Sequence, residues 1–480
     1  MVTKIEVFFL MKQQLFAKKI QGNALSLNNN KNLIKKQSLQ IGLNETITTK
    51  FLGGDYVILD FGQEMNGGIR ILTYFAKNVR IRIRFGESIT ECCAELGGEK
   101  NATNDHSFRD FEASLTDYSD MSFGNTGFRF VRLDFYGEAT IKTVVAVNHI
   151  LKKRTIYQYE GSDERIRQIY SVAKRTVDLC AGQDFLWDGI KRDRLVWVGD
   201  IHPEMLALTT LYGRSTILER SLDFAREQAP LPGWMNNWFP AYSMWWIIIL
   251  ADYYEATNAK EYIKKQMDYL ERLVIQIDSC IKEDGSFEYP GYFVDWPTSG
   301  QPDEVQGVRA INILAIKKAI FLLKEFERSS LVAERALNRL LLKKIDVKTS
   351  KQVAGLKYFA VGLDESDKKL LIEGGAKGMS TFMSYYILKA VASFDKTKAV
   401  AMMKEYYGGM LDKGATSFWE DFNVEWLENS SCIDEFPKDG EKDIHGDFGA
   451  YCYKGFRHSL CHGWSAGIIK FIQDECTNNG

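Results

Sequence analysis

A chain of 480 residues, 45% apolar and 26% charged, can bury a large core and divide into two or three domains. Its formal charge of −2 supplies no basic footprint for nucleic acid and no attraction to an anionic membrane surface, so neutral partners fit best. The longest apolar run, Met244 to Ala251, is too short to span a bilayer, and nothing near the start resembles a secretory signal with a cleavage site, which predicts a cytoplasmic protein.

Residues 1–50 read as strand-like or irregular, with a turn at Asn28-Asn29-Asn30. Period-two alternation then marks strands at Tyr56 to Phe61, Gly68 to Leu72, Val79 to Phe85 and Phe128 to Phe135, each with one apolar and one polar face. Gly86 to Phe123 is rich in acidic and small polar residues and predicts a long loop or hairpin extension. The expectation for 1–155 is an antiparallel β-sandwich.

Beyond residue 156 the period becomes helical. Asp163 to Leu179 spaces Ile166, Ile169, Tyr170, Ala173 and Val177 along one face, with Ser162 as N-cap. Comparable stretches follow at about 203–212, 215–228, 240–256, 260–282, 303–326, 329–343, 380–393, 396–411 and 456–474. Nearly a dozen helices without intervening strands predict an all-α domain over 156–480, and paired antiparallel helices closed into an (α/α)6 toroid would use that number. The eight cysteines contain no CxxC, and the histidines His106, His149, His202, His445 and His458 are scattered. No disulfide framework, metal or cofactor is expected.

The chemistry concentrates in WDGIKRDRLVWVGD, Trp187 to Asp200. A core helix would not tolerate Asp188, Arg192, Asp193, Arg194 and Asp200 together, and a solvated face would not need Trp197, so a ligand pocket competes with a structural ion-pair cluster. All ten tryptophans lie in the helical half. Trp234, Trp296 and Trp464 stand in glycine- or proline-bearing loops, where rings stack on sugar C–H faces while carboxylates accept from hydroxyls. Trp246 is a further substrate-binding candidate, although it and Trp245 could equally fill the core. Glycoside hydrolysis needs two carboxyl groups. Asp193 is one. The other lies in Gly414 to Asp421, where small residues lead into Trp419 and an acid pair; Glu420 is favoured over Asp421 as the inward-facing one.

These motifs resemble the bacterial α-L-rhamnosidases of glycoside hydrolase family 78 over most of the chain. Asp188 to Asp200 looks like the family signature, Gly414 to Glu420 is similar to the segment carrying its general base, and Ser459 to Gly467 matches its late histidine segment. Leu59 to Gly67 with Arg84 to Glu87 looks like its accessory β-domain. The resemblance implies an accessory domain at 1–155, a catalytic domain at 156–480, and hydrolysis with inversion that releases terminal α-L-rhamnose from a saccharide or glycoside. Asp193 would protonate the departing oxygen and Glu420 would deprotonate water. Asp188, Arg192, Trp197 and Asp200 would hold the rhamnose, with Trp296 and His462 completing the pocket. Three departures stand out: Asp193 occupies a position more often Glu, Gly189-Ile190 replaces Cys-Pro, and a C-terminal β-domain common in the family is absent. Rival readings are an (α/α)6 enzyme for another deoxy sugar or an unsaturated uronide, and a non-catalytic sugar-binding relative. A homo-oligomer is compatible with all of them.

Overall fold

The computed structural model describes residues 9–21, 30–182, 184–237 and 239–477; most of the turn expected at Asn28 to Asn30, and Trp238, lie outside them. Eight strands come first: β1 (Phe9–Phe16), β2 (Lys19–Gln21), β3 (Thr49–Phe51), β4 (Tyr56–Phe75), β5 (Val79–Gly86), β6 (Asp110–Leu115), β7 (Ser119–Phe135) and β8 (Ala139–Lys152). They pair antiparallel in the order β1-β8-β4-β7-β5-β6, with β2 added to β4 and β3 to β8. Inward residues such as Phe51, Leu59, Phe61, Ile71, Ile81 and Phe128 form one core, as the alternating pattern requires.

Two sequence expectations change here. The runs at Tyr56 and Gly68 belong to one long strand, β4, whose register against β7 shifts between Asp60 and Met65 and again between Gly67 and Ile69. Such irregularities bend a strand. Gly67 (φ +153°) permits the second one, because a Cβ there would lie 2.1 Å from the Val147 carbonyl oxygen. The segment over Gly86 to Phe123, expected as a long loop or hairpin extension, contains the ordered strand β6 and the start of β7. The acidic residues of β6 face arginines of β5: Asp110 is paired with Arg82 at 2.5 Å and Glu112 with Arg80 at 3.6 Å, cross-strand charge pairs that the composition of β6 alone conceals.

The helices are α1 (Glu164–Cys180), α2 (Val198–Tyr212), α3 (Thr216–Gln228), α4 (Pro240–Thr257), α5 (Lys260–Ser279), α6 (Glu304–Glu325), α7 (Leu331–Leu340), α8 (Lys351–Val361), α9 (Glu365–Ile372), α10 (Ser384–Ala392), α11 (Lys396–Asp412) and α12 (Ile468–Phe471). Asp163, not Ser162, caps α1, accepting from the Ile166 N–H. The segment expected as one helix over 456–474 is broken into 3₁₀ turns at Gly455–Arg457 and Gly463–Gly467, then α12 and a π-helical turn at Ile472–Cys476.

Even-numbered helices pack in sequence, α2 on α4, α4 on α6, α6 on α8, α8 on α10, α10 on α12, and α12 returns to α2. Odd-numbered helices lie against them, α3 on α2, α5 on α4, α7 on α6, α9 on α8 and α11 on α10. Composition explains the two layers. α4 is apolar nearly all round and buried along almost its whole length, whereas α5 buries one face only. No helix among the described residues is long and apolar enough to cross a membrane. The segments that lead into α2, α4, α6 and α12 converge on a single cleft.

Candidate active site

The cleft holds about 400 Å³ of free space and is lined by Asp188, Arg192, Asp193, Trp197, Asp200, Phe239, Tyr242, Phe293, Trp296, Glu420, Cys452, His462 and Trp464. Every site residue expected from sequence is among them except Trp246. That side chain is fully buried in α4, its Nε1–H donates to the Leu222 carbonyl at 3.2 Å, and its ring packs on Tyr269. An all-round apolar helix offers Trp246 a core position, and it takes one.

The loop from Asp188 to Trp197 is held as a tight turn. Asp188 N–H donates to the Leu195 carbonyl at 3.1 Å, and Leu195 N–H donates to Asp188 Oδ1 at 2.9 Å. At its tip Asp193 (φ +60°) and Arg194 (φ +55°) both occupy the left-handed region, which side chains other than glycine enter only when their surroundings hold them there. Arg194 supplies that restraint. Its guanidinium donates to Ile190 O at 2.8 Å, Asn125 O at 3.1 Å and Asn66 Oδ1 at 2.7 Å, and lies over the Trp187 ring. The first arginine of the pair, Arg192, works inside the cleft. It reaches Asp193 Oδ2 from NH1 at 3.1 Å and pairs with Glu420 from NH2. One planar guanidinium therefore keeps the nearest oxygens of the two carboxylates within roughly 8 Å of each other. Asp193 also lies 3.2 Å from His106 Nε2, contributed by the segment between β5 and β6.

Glu420 is aimed by its own segment. Thr416 Oγ1 accepts from the Glu64 N–H at 2.8 Å, Ser417 Oγ donates to Leu460 O at 2.7 Å, and Phe418 N–H donates to Thr176 Oγ1 at 2.8 Å. Small hydroxylated residues are needed because the segment is wedged between β4, α1 and the chain at 459–462. There Glu420 N–H donates to Ser459 O at 2.9 Å, Ser459 N–H donates to Glu420 Oε2 at 3.1 Å, and Trp464 Nε1–H donates to Glu420 O at 2.9 Å. Asp421 does not line the cleft. Burial and the neighbouring Glu420 and Asp295 raise its pKa to about 7.

Behind the acid loop lie three more buried carboxyls. Desolvation, reinforced by neighbouring acids, pushes Asp188, Asp200 and Glu204 well above the ordinary carboxyl range. Asp200 Oδ2 shares a hydrogen bond of 3.0 Å with His462 Nε2, and burial lowers that imidazole to about 4. Gly463 is required beside it, since a Cβ would fall 1.5 Å from Glu204 Oε1. The remaining wall is aromatic. Tyr242 meets Trp197 edge-on, Phe293 packs on Phe239 and on Trp296, and Trp296 stacks on Tyr451. Phe239, Tyr242, Phe293 and Cys452 carry no sequence expectation as lining residues; of the loop tryptophans singled out for stacking, Trp296 and Trp464 line the cleft and Trp234 does not. The one usable signal was position, since Phe293 stands three residues before Trp296 and Phe239 directly before the proline that opens α4.

Among the described residues, one group of His and carboxylate ligand atoms is close enough to hold a metal, Glu87, Glu91 and His445. The Lys191 ammonium occupies that position, 2.9 Å from Glu87 and 3.1 Å from Glu91. It also donates to Phe456 O at 2.9 Å. All eight cysteines are free.

No protein-family model and no curated protein matches the chain. Solved structures do. A rhamnosidase from Klebsiella oxytoca with rhamnose bound superposes with a TM-score of 0.74 at 17% identity, covering 98% of this chain and 97% of that one. A GH78 family rhamnosidase of Bacillus sp. GL1 gives 0.68 at 17%, over 92% of this chain and 48% of that one. An α-L-rhamnosidase from Dictyoglomus thermophilum gives 0.65 at 16%, over 87% and 49%. The chain thus spans nearly all of the first and about half of the other two, and shares their fold.

Proposed function

We propose that this protein is an inverting glycoside hydrolase that releases terminal α-L-rhamnose, an α-L-rhamnosidase of the family 78 type. The reading takes residues 1–155 as an accessory β-sandwich and 156–480 as an (α/α)6 toroid that carries the chemistry. The observation that carries it is the Arg192 guanidinium joined to both Asp193 and Glu420 at the bottom of a cleft walled by Trp197 and Trp296. Two carboxyl groups about 6.5–9.5 Å apart leave room for a sugar carbon and an attacking water between them; the bridging guanidinium caps the nearest oxygens at roughly 8 Å, a limit compatible with that span.

In this mechanism Asp193 gives its proton to the glycosidic oxygen as that bond breaks. Glu420, fixed by the Ser459 N–H and by Arg192, takes a proton from the water attacking the opposite face of the anomeric carbon. Asp188 and Asp200 hydrogen-bond the ring hydroxyls, and Asp200 is oriented by His462. Trp197 and Trp296, only partly buried, pack on the apolar face and methyl group of the sugar. The composition of the cleft argues against an unsaturated uronide: among the described residues Arg192 is the only Lys or Arg lining it, and both its terminal nitrogens already serve carboxylates.

Hydrolysis of p-nitrophenyl α-L-rhamnoside, followed by NMR of the first-formed product, tests the proposal. Release of β-L-rhamnose is expected. Release of the α anomer refutes inversion, and lack of any turnover refutes the hydrolase.

A further inference from the structure

Next to the proton donor stands an imidazole that the chemistry described so far leaves unused. His106 Nε2 lies 3.2 Å from Asp193 Oδ1, and the Arg457 guanidinium donates to the same ring nitrogen at 3.3 Å. A guanidinium has donors only, so Nε2 receives that bond with its lone pair and the ring carries its proton on Nδ1. This tautomer bears directly on Asp193. Beside a nitrogen lone pair a bare carboxylate oxygen is repelled, whereas the same oxygen carrying a proton is a donor next to an acceptor.

The imidazole is held in place and held neutral. Ser107 Oγ bonds Thr126 Oγ1 at 2.8 Å and Lys191 O at 3.2 Å, and Arg457 is itself fixed by its Nε–H to Asp105 Oδ2 at 2.8 Å. Arg109, Lys191, Arg192 and Arg457 line a small hollow with His106, and Arg194 stands beside it from the acid loop; Asp105 and Asp193 are the acids that face it. Burial first, with the Arg192 and Arg457 charges set against those of Asp193 and Asp105, lowers the imidazole below its ordinary value. Arg192 meanwhile bonds the other oxygen of the acid, Oδ2, at 3.1 Å. The two oxygens of Asp193 therefore have unlike neighbours. A cation beside Oδ2 favours a bare oxygen, and a lone pair beside Oδ1 favours a protonated one.

Building on the hydrolase reading above, we infer that His106 is a positioning residue for the general acid: its Nε2 lone pair keeps the proton on Asp193 Oδ1 until the glycosidic oxygen takes it. As the glycosidic bond breaks, the O–H bond of Asp193 breaks with it, the proton passes to the departing oxygen, and Oδ1 is left bare. His106 neither gains nor loses a proton in that step. The strand region thereby sets the protonation of a carboxyl group that the helical region supplies.

The test uses the full chain and His106→Ala, a partly exposed position. The pH profile of kcat/KM is measured on methyl α-L-rhamnoside, whose leaving group must be protonated, and on 2,4-dinitrophenyl α-L-rhamnoside, whose leaving group departs as an anion. For the methyl glycoside the alkaline limb is expected to move down by about one pH unit, a loss of about tenfold at any pH on that limb. The dinitrophenyl glycoside should change by less than about twofold, because no proton is asked of Asp193. An unmoved limb overturns the inference, and so does an equal loss on both glycosides, which is the mark of a merely structural role. Nitrogen NMR of the six histidines, with His106 picked out by its absence in His106→Ala, reads the ring itself. A neutral ring protonated on Nδ1 at pH 7 is expected; an imidazolium, or a proton on Nε2, overturns the inference whatever is cleaved. A wild type that cleaves neither glycoside removes the hydrolase reading and the role of His106 with it, whereas cleavage of both with an unmoved limb removes the role of His106 alone.

Discussion

The strand and helical regions stand in opposite relation to the cleft. Every lining residue follows Trp187, so the helical region supplies both carboxyl groups, the guanidinium between them and the aromatic wall. Among the described residues, the strand region lines none of it but holds its parts from behind. Asn66 accepts from Arg194, Ser107 bonds the Lys191 carbonyl, Glu64 N–H meets Thr416, and Glu87 accepts from the Leu460 N–H at 2.6 Å. The difference teaches that lining a site and positioning it are separable tasks. Variants of lining residues should change rate or KM, whereas variants at the seam between regions should change stability first.

The largest effect is expected from the two acids. Glu420→Gln and Asp193→Asn preserve shape but remove the proton function together with one of the two charges paired with Arg192, so each should lower kcat by about 10²–10⁴. Steady-state kinetics on p-nitrophenyl α-L-rhamnoside check this. Full activity in both variants would break the comparison at its first term.

Next comes the seam. Lys191 Nζ balances Glu87 and Glu91, all three side chains nearly inaccessible. Lys191→Met leaves the buried Glu87 without its cation, Glu91 keeping its pair with Arg109, which should cost about 3–5 kcal/mol in denaturant unfolding; Lys191→Arg should recover part of it. A Lys191→Met protein as stable as wild type would show that the regions are not joined through this charge.

A smaller, pH-dependent effect isolates Asp421. Its folded pKa of about 7 lies above the unfolded value of 3.8, so the native state keeps a proton that the unfolded chain releases above pH 4. Stability from this group is therefore complete below about pH 4 and declines as pH rises to about 7. Asp421→Asn cannot ionise. Its unfolding free energy should match wild type at pH 4 and exceed it by on the order of 2–4 kcal/mol at pH 8. A difference that does not grow with pH would mean that Asp421 is ionised without penalty, and that the space behind Glu420 is wetter than its packing suggests.

What could be read from sequence follows the locality of each signal. The Asp188 to Asp200 run declared itself because charges and tryptophans crowded into fourteen positions have no cheap structural use. Strand β6 did not, because Asp110 and Glu112 look like loop residues until Arg82 and Arg80 pair with them diagonally across β5. Helix α8 was missed for another reason: most of its residues are buried, Gly355 lies against the α10 backbone, and no polar face gives a period to detect. The break within 456–474 answers to Ser459, whose backbone pairs with Glu420 instead of continuing a helix. The contact of His106 with Asp193 joins positions too far apart for any local pattern to record.

Two of the tryptophans named as substrate-binding candidates give the finest test. Trp246 and Trp296 were both expected to meet substrate, but only Trp296 lines the cleft. Trp246→Phe removes the bond from Nε1–H to Leu222 and leaves a small void, so it should cost about 1–2 kcal/mol of stability with kcat/KM unaltered. Trp296→Ala should do the reverse, raising KM several-fold for loss of one stacking face, worth about 1 kcal/mol, with melting temperature nearly constant. The same residue type would thus report core in one case and ligand in the other. If Trp246→Phe raised KM as much as Trp296→Ala, the line drawn between helix interior and cleft wall would have to move inward past α4.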